Sequence, residues 1–397
     1  MHPDVVVALS DIPFTSPPHS QKRVDKSLQR SAQWLLDKLS PVPLNPEDRP
    51  NLLVHLAGGI NTSARQAFSR ALVETLFGPE AVQAKPLKKL DDAITGYTFD
   101  LVPLRKALKQ DPGADRTLTH LIQTSLKPLP CEKPRIANSV RGPQDVLSLI
   151  STTGMDLFNS QWAVDLATFG VALDFTFPVL SSPSNPPPTK TRGNGKTDIG
   201  HNLYDGKYAR DFTRLSTLFL DGRSASPSTD VLATEQRWCP CAACSPVSPR
   251  IQLKHSRADE HVPDPSSPLE YHPPHTRAYI HHLLHTHEMS AHALLTTHNL
   301  SIVDRFFADI RDVLGRGGIE KFREGVQKFR DWYDDDEAVG DASRDLGEAD
   351  ETEVIGGIMG MEAKRDWASV DKARGKGRLA REKEKTGEEL SGEAEVI

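Results

Sequence analysis

Cys239, Cys241 and Cys244 form a C-x-C-x-x-C cluster, and these three thiols carry the strongest chemistry in the chain. The fourth cysteine, Cys131, lies far away in sequence. Thiols this crowded do not read as a secreted disulfide framework; they read as metal ligation in a reducing compartment. Thiolates bind zinc well, and a closed structural site needs four ligands in a tetrahedron. One ligand is missing. By residue type, Cys131 and the histidines between His272 and His298 are the candidates. His281 and His285 stand one helical turn apart and could pair, but such a pair would add a fifth ligand. His287-Glu288 with His292 is not the metalloprotease pattern. Histidines five residues apart diverge by about 140° around a helix, so they do not face one ion.

Other chemistry-bearing residues are weaker. Gly58-Gly59 could approach a phosphate or a base, but it reads as a plain strand-to-helix turn. Asp156 and Asp165 are lone carboxylates, better suited to capping or surface charge. Gly193-Asn194-Gly195-Lys196-Thr197 resembles a piece of a phosphate loop, but it lacks the first glycine at the needed spacing. Trp162 reads as a core residue.

Alternating short apolar runs and amphipathic segments must position these groups. Strands are expected at 4–9, 52–57, 94–101, 135–140 and 155–158, the first of them buried by its composition, DVVVAL. Helices are expected at 22–39, from the cap residues Asn61-Thr62-Ser63 through Phe77, at 104–127 with a break at Pro112-Gly113, and at 143–152. Five strands with helices between them imply a parallel α/β sheet or barrel. Thr168 to Phe177 then reads as one side of a β-hairpin. Leu180 to Gly200 is Pro- and Gly-rich, an insertion without regular structure, and a second runs from Ser245 to about His275. Further helices are expected at 277–297, 300–314 and 318–333.

The chain has 397 residues and a net charge of −6, unevenly spread. Asp334 to Ile397 holds 19 acidic and 10 basic residues, so that tail carries −9 and the remainder +3. Such a tail reads as disordered, with a transient helix near Asp366 to Lys385. Mild basicity of the body permits nucleic-acid contact without arguing for it. No run of 18 apolar residues occurs, which rules out a membrane-spanning helix by composition. The start, Met1-His2-Pro3-Asp4, has no signal-peptide pattern, so a cytoplasmic protein is expected.

The segment from Ala278 to Asn299, AYIHHLLHTHEMSAHALLTTHN, closely resembles the one that follows the C-x-C-x-x-C cluster in tRNA-guanine transglycosylases. Five other pieces match in the same order: Ser10 to Leu35, Leu52 to Gly59, Ile94 to Asp100, Arg135 to Ser160 and His298 to Arg311. The likeness covers most of the chain from about Val5 to Arg311, apart from the two insertions. It implies a (β/α)8 TIM-type barrel with an inserted zinc subdomain near its C-terminal end. It also implies His298, the histidine of the HN pair, as the fourth ligand of one structural Zn2+ beside Cys239, Cys241 and Cys244. The organisation that follows is a partial barrel at 1–178, a hairpin and Pro-rich insertion at 179–235, a zinc subdomain with closing helices at 236–333, and the acidic tail at 334–397.

Departures from the family pattern bear on function. Active members attack the ribose anomeric carbon with an aspartate, displacing guanine; a carboxylate is a good nucleophile toward an oxocarbenium-like centre. The matching segment here is Gly154-Met155-Asp156-Leu157-Phe158-Asn159-Ser160, with Asn159 at the nucleophile position. An amide is neutral and a poor nucleophile. The P-T-R that follows in active members is absent, Ala57 replaces the glutamine of Q-G-G, and no D-S-G-G-F-Q segment exists. The match begins part-way into the barrel, with five strands where eight are needed. These losses resemble the accessory, non-catalytic branch of the eukaryotic family. The implied role is a heterodimer with a catalytic subunit that exchanges the wobble guanine of tRNAs with GUN anticodons for queuine, with tRNA reached through the complex. A peripheral association with the mitochondrial outer membrane is implied for some of the family. Two other readings stand beside it: an active base-exchange enzyme with Asp156 as a displaced nucleophile, and a zinc-stapled binding module outside this pathway.

Overall fold

A computed structural model describes residues 4–12, 18–40, 50–179, 196–216, 239–245 and 274–334. Most of both insertions and nearly all of the acidic tail, with its expected transient helix, lie outside the described residues. The chain divides into two compact units, Met1–Trp162 and Ala163–Ile397.

The first unit is a parallel sheet with strands in sequence order: β1 (Val5–Ala8), β2 (Asn51–His55), β3 (Gly96–Asp100), β4 (Arg135–Asn138) and β5 (Leu157–Phe158). Connecting helices are α1 (Gln21–Leu39), α2 (Thr62–Val73), α3 (Gly78–Gln83), α4 (Leu101–Ala107), α5 (Ala114–Leu126) and α6 (Pro143–Thr153). Local signals set their ends. The Asn61 side chain accepts from the Ala64 N–H to start α2, and Asp100 does the same for Val102 at α4. Pro143 opens α6, and Gly154 closes it at φ 66°.

Register sorts the side chains into two faces, because paired residues of neighbouring strands share a face. Leu52, Val54, Tyr97, Phe99 and Ala137 share one and are all buried. The opposite face holds Val5, Val7, Leu53, Ile136 and Leu157. Val5, Val7 and Leu157 are each about half exposed, at 51%, 53% and 51%. β1 is therefore not the buried strand its composition suggests. It lies at the sheet edge, and only its alternate residues face the covered side.

The second unit holds α7 (Gln161–Thr168, which starts at the boundary), β6 (Val171–Leu173), β7 (Gly200–Asn202), α8 (Arg277–His285) and α9 (Met289–Trp332). β6 and β7 pair antiparallel, so the expected hairpin forms, with the proline-rich segment in its connection. The helices divide differently from the sequence reading. The expected helix at 277–297 breaks at 286–288, where His287 adopts φ 60°. The expected boundary between 297 and 300 is absent, and α9 runs through His298 and Asn299. Gly318, at φ 66° and ψ −174°, interrupts α9, a conformation that favours glycine. The residues after it close an aromatic core: Phe322 and Phe329 meet Phe177 edge-on, at ring-centroid distances of 5.5 and 6.1 Å.

Candidate metal centre

Cys239, Cys241, Cys244 and His298 converge in the second unit, and all four are buried. Their ligating atoms lie within 4.8 Å of one another. His298 Nδ1 is 3.6 Å from the sulfurs of Cys239 and Cys241 and 3.4 Å from that of Cys244. Metal–sulfur bonds of about 2.3 Å and a metal–nitrogen bond of about 2.0 Å put S and N about 3.5 Å apart in a tetrahedron. The three observed sulfur–nitrogen spacings thus fit a single tetrahedral ion.

The surroundings hold each ligand in its role. His298 Nε2 donates to the Leu173 carbonyl at 2.9 Å, which leaves Nδ1 with the lone pair. The next residue, Asn299, locks the same strand. Its Oδ1 accepts from Leu173 N, and its Nδ2 donates to Ala163 O and Val171 O. One helical dipeptide therefore supplies both a ligand and the clamp for β6. On the cysteine side, the Cys244 N–H donates to Cys241 Sγ at 3.2 Å, and Ser245 N bonds Cys241 O, a tight turn around the sulfurs. Ala172, Leu203, Leu284, Ala291 and Leu295 pack against the cluster and exclude water.

Without an ion the four groups share their protons unevenly: hydrogen bonding to its neighbours raises the Cys239 thiol, while Cys241 shifts the other way. Hydrogen bonds from Cys239 and Cys244 hold the Cys241 thiol well below its usual range, so this sulfur is the first thiolate. Burial disfavours a charged His298, but bonds to Cys241 and Cys244 outweigh it and push the imidazole up to about 10. A dication replaces these shared protons, so uptake releases protons and weakens as pH falls.

A buried polar network braces the next residue along β6. Asp174 accepts from Ser216 Oγ at 2.6 Å and pairs with His201 Nε2 at 3.0 Å and Arg277 Nη2 at 3.3 Å. Arg277 also pairs with Asp211. Sequence reasoning missed Asn299, Asp174 and Arg277. The HN dipeptide carried a signal for the first; the network is made of residues far apart in the chain and carried none.

In the first unit, the positions compared with a catalytic site sit at the C-terminal ends of the strands. Gly58 and Gly59 follow β2, and Asn159 follows β5. Gly58 has φ 120°, and a Cβ there would meet Arg65 N at 2.6 Å, so the turn requires glycine. Asn159 Oδ1 accepts from the Ser139 N–H at 3.0 Å, and Ser139 itself is held at φ 64°. Asp156 lies at the other end of β5. Its carboxylate accepts from the Arg135 N–H at 2.9 Å, pinning the start of β4. His55 is pushed down to about 4, by burial first and then by Arg65, and is a neutral imidazole near neutral pH.

The family model for queuine tRNA-ribosyltransferase matches residues 1–331. The chain belongs to the queuine tRNA-ribosyltransferase family. It is 24% identical over 335 residues to queuine tRNA-ribosyltransferase accessory subunit 2 of Schizosaccharomyces pombe, covering 83% of this chain and 54% of that protein. The proteins of that name from Gallus gallus and Xenopus laevis are 24% and 25% identical over 345 and 338 residues. Those matches cover 82% and 83% of this chain, and 66% and 67% of the relatives. This family member thus spans about half to two thirds of the length of these relatives. Among its described residues, no helix is long and apolar enough to cross a membrane.

Proposed function

We propose that this chain is the non-catalytic subunit of a heterodimeric queuine tRNA-ribosyltransferase. Its catalytic partner exchanges guanine for queuine at the wobble position of tRNAs for Asp, Asn, His and Tyr, giving queuosine, and tRNA is engaged through the complex. The observation that carries this reading is Asn159. At the position of the family's nucleophile stands a neutral amide whose oxygen is already engaged by the Ser139 N–H. It cannot supply the negative charge that an oxocarbenium-like centre requires. Ala57, in place of the glutamine of the base-reading motif, removes a second polar group from the same end of the sheet. The names of the relatives support the same role.

The displaced-nucleophile alternative fares worse. Asp156 precedes β5 and is engaged with Arg135, whereas sites on parallel α/β sheets gather at the C-terminal ends of strands. In this reading the ion held by Cys239, Cys241, Cys244 and His298 is one structural Zn2+. Three thiolates and one imidazole suit zinc, and a closed set of four leaves no open position for catalysis. The zinc knot then keeps the second unit in shape for the partner. The five parallel strands form part of a (β/α)8 barrel, organised as a partial barrel, hairpin with insertion, zinc subdomain and tail. The complex acts in the cytoplasm, with a peripheral site at the mitochondrial outer membrane.

Guanine exchange into a cognate tRNA, measured for this chain alone, for the catalytic subunit alone and for their mixture, tests the proposal. Exchange that depends on the mixture is expected. Exchange by this chain alone would overturn the non-catalytic reading, and a mixture that neither associates nor gains activity would overturn the heterodimer.

A further inference from the structure

His281 and His285 take no part in the Cys3His cluster, and their rings lie side by side on one helix face. They lie one turn apart on α8, and their ring centroids are 4.3 Å apart. Each ring already uses one nitrogen. His281 Nδ1 donates to the Leu203 carbonyl at 2.8 Å, and His285 Nε2 to the next carbonyl, that of Tyr204, at 3.2 Å. A carbonyl only accepts, so both tautomers follow: His281 Nε2 and His285 Nδ1 carry the lone pairs. Metal-bound histidines are commonly oriented in this way, with the second ring nitrogen tied to a carbonyl or carboxylate. His285 is exposed and His281 half-buried, so an ion between them would keep water in its remaining positions. The Asp205 carboxylate, next in the chain after the two carbonyls, is paired with Lys207 at 2.8 Å.

We propose that His281 and His285 form a second metal site, an open two-imidazole chelate at the surface for a borderline transition-metal dication such as Ni2+, Cu2+ or Zn2+. Two neutral imidazoles suit these ions and not Mg2+ or Ca2+, which require oxygen ligands. The site differs from the Cys3His cluster in kind. It is half solvent and exchangeable, where the other is closed and buried.

The test uses the full chain with one zinc retained per molecule after dialysis, titrated with Ni2+ by calorimetry. The variants are His281→Asn and His285→Gln. Asparagine carries an N–H near the place of Nδ1 and glutamine near that of Nε2, so each variant keeps a donor for its carbonyl while removing the lone pair. The expected result is one additional Ni2+ in the unmodified chain, bound at least tenfold more weakly by each single variant and lost in the double. His282→Gln, on the same helix without these contacts, should bind Ni2+ as before. If the unmodified chain takes up no additional ion, the proposal fails. It fails equally if the double variant keeps the same stoichiometry and affinity, which would assign the uptake to other histidines. The retained zinc reports in every variant that the second unit remains folded.

Discussion

Two regions of this molecule differ in how their polar side chains are used. Every polar side-chain atom of His298 and Asn299 is engaged. Nδ1 faces three sulfurs, Nε2 is tied to Leu173, and Asn299 binds three backbone groups. At the strand ends of the first unit Gly58 stands at φ 120° and Ser139 at φ 64°, and the side chains there, Ala57 and Asn159, carry no charge. Asn159 keeps a hydrogen bond there and has no charge. The difference separates what a family needs to fold from what it needs to turn over. A Cys3His cluster that takes up an ion contributes to folding directly, whether or not the protein reacts. A nucleophile contributes only to the reaction, and an amide of the same size satisfies the fold in its place.

The contrast predicts a hierarchy of sensitivity. The largest effect is expected at the knot. Cys241→Ser removes the sulfur that is most readily a thiolate, and the second unit should lose its ion and at least about 4 kcal/mol of stability, in the range reserved for lost metal sites and buried charges. Thermal unfolding with metal analysis checks this. An unchanged midpoint would mean that the four residues are not the fold's support. Asp174→Leu should come next, at about 3–5 kcal/mol, because it leaves Arg277 buried beside His201 without its main counter-charge. Asn299→Ala is expected to cost about 2–4 kcal/mol in urea denaturation, since it strands the Leu173 N–H and takes a donor from the Val171 and Ala163 carbonyls. If that variant were as stable as the parent, the clamp on β6 would be dispensable.

Legibility follows the same division. The five strands and the helix caps were readable because the signals are local: apolar runs, Asn61 before α2, Pro143 at the start of α6. The cysteines were readable because ligation demands crowding. The break after α8 was not, because Thr286-His287-Glu288 holds neither glycine nor proline, and His287 takes its left-handed conformation for reasons outside its own sequence. For the same reason the continuity of α9 through His298 and Asn299 was hidden: asparagine is a poor helix former, and only its three buried partners hold it there. The exposure of Val5 and Val7 was equally invisible, because composition reports that a strand is apolar and not which face is covered.

The smallest structural effect is expected at Asn159, and it is the sharpest test of the comparison. In Asn159→Asp a carboxylate oxygen can accept from Ser139 N as the amide oxygen does, so stability should change by no more than about 1 kcal/mol. The charge that the proposal says is missing would then be present at the position it names. Guanine exchange by this variant alone should nevertheless stay at background, because Ala57 stands where the family pattern has glutamine and no D-S-G-G-F-Q segment occurs in this sequence. Pairing Asn159→Asp with Ala57→Gln extends the test. If the double variant exchanges guanine without a partner, two side chains account for the loss of activity and the strand ends are otherwise a complete site. If it does not, more than these two side chains separates the strand ends from an active site.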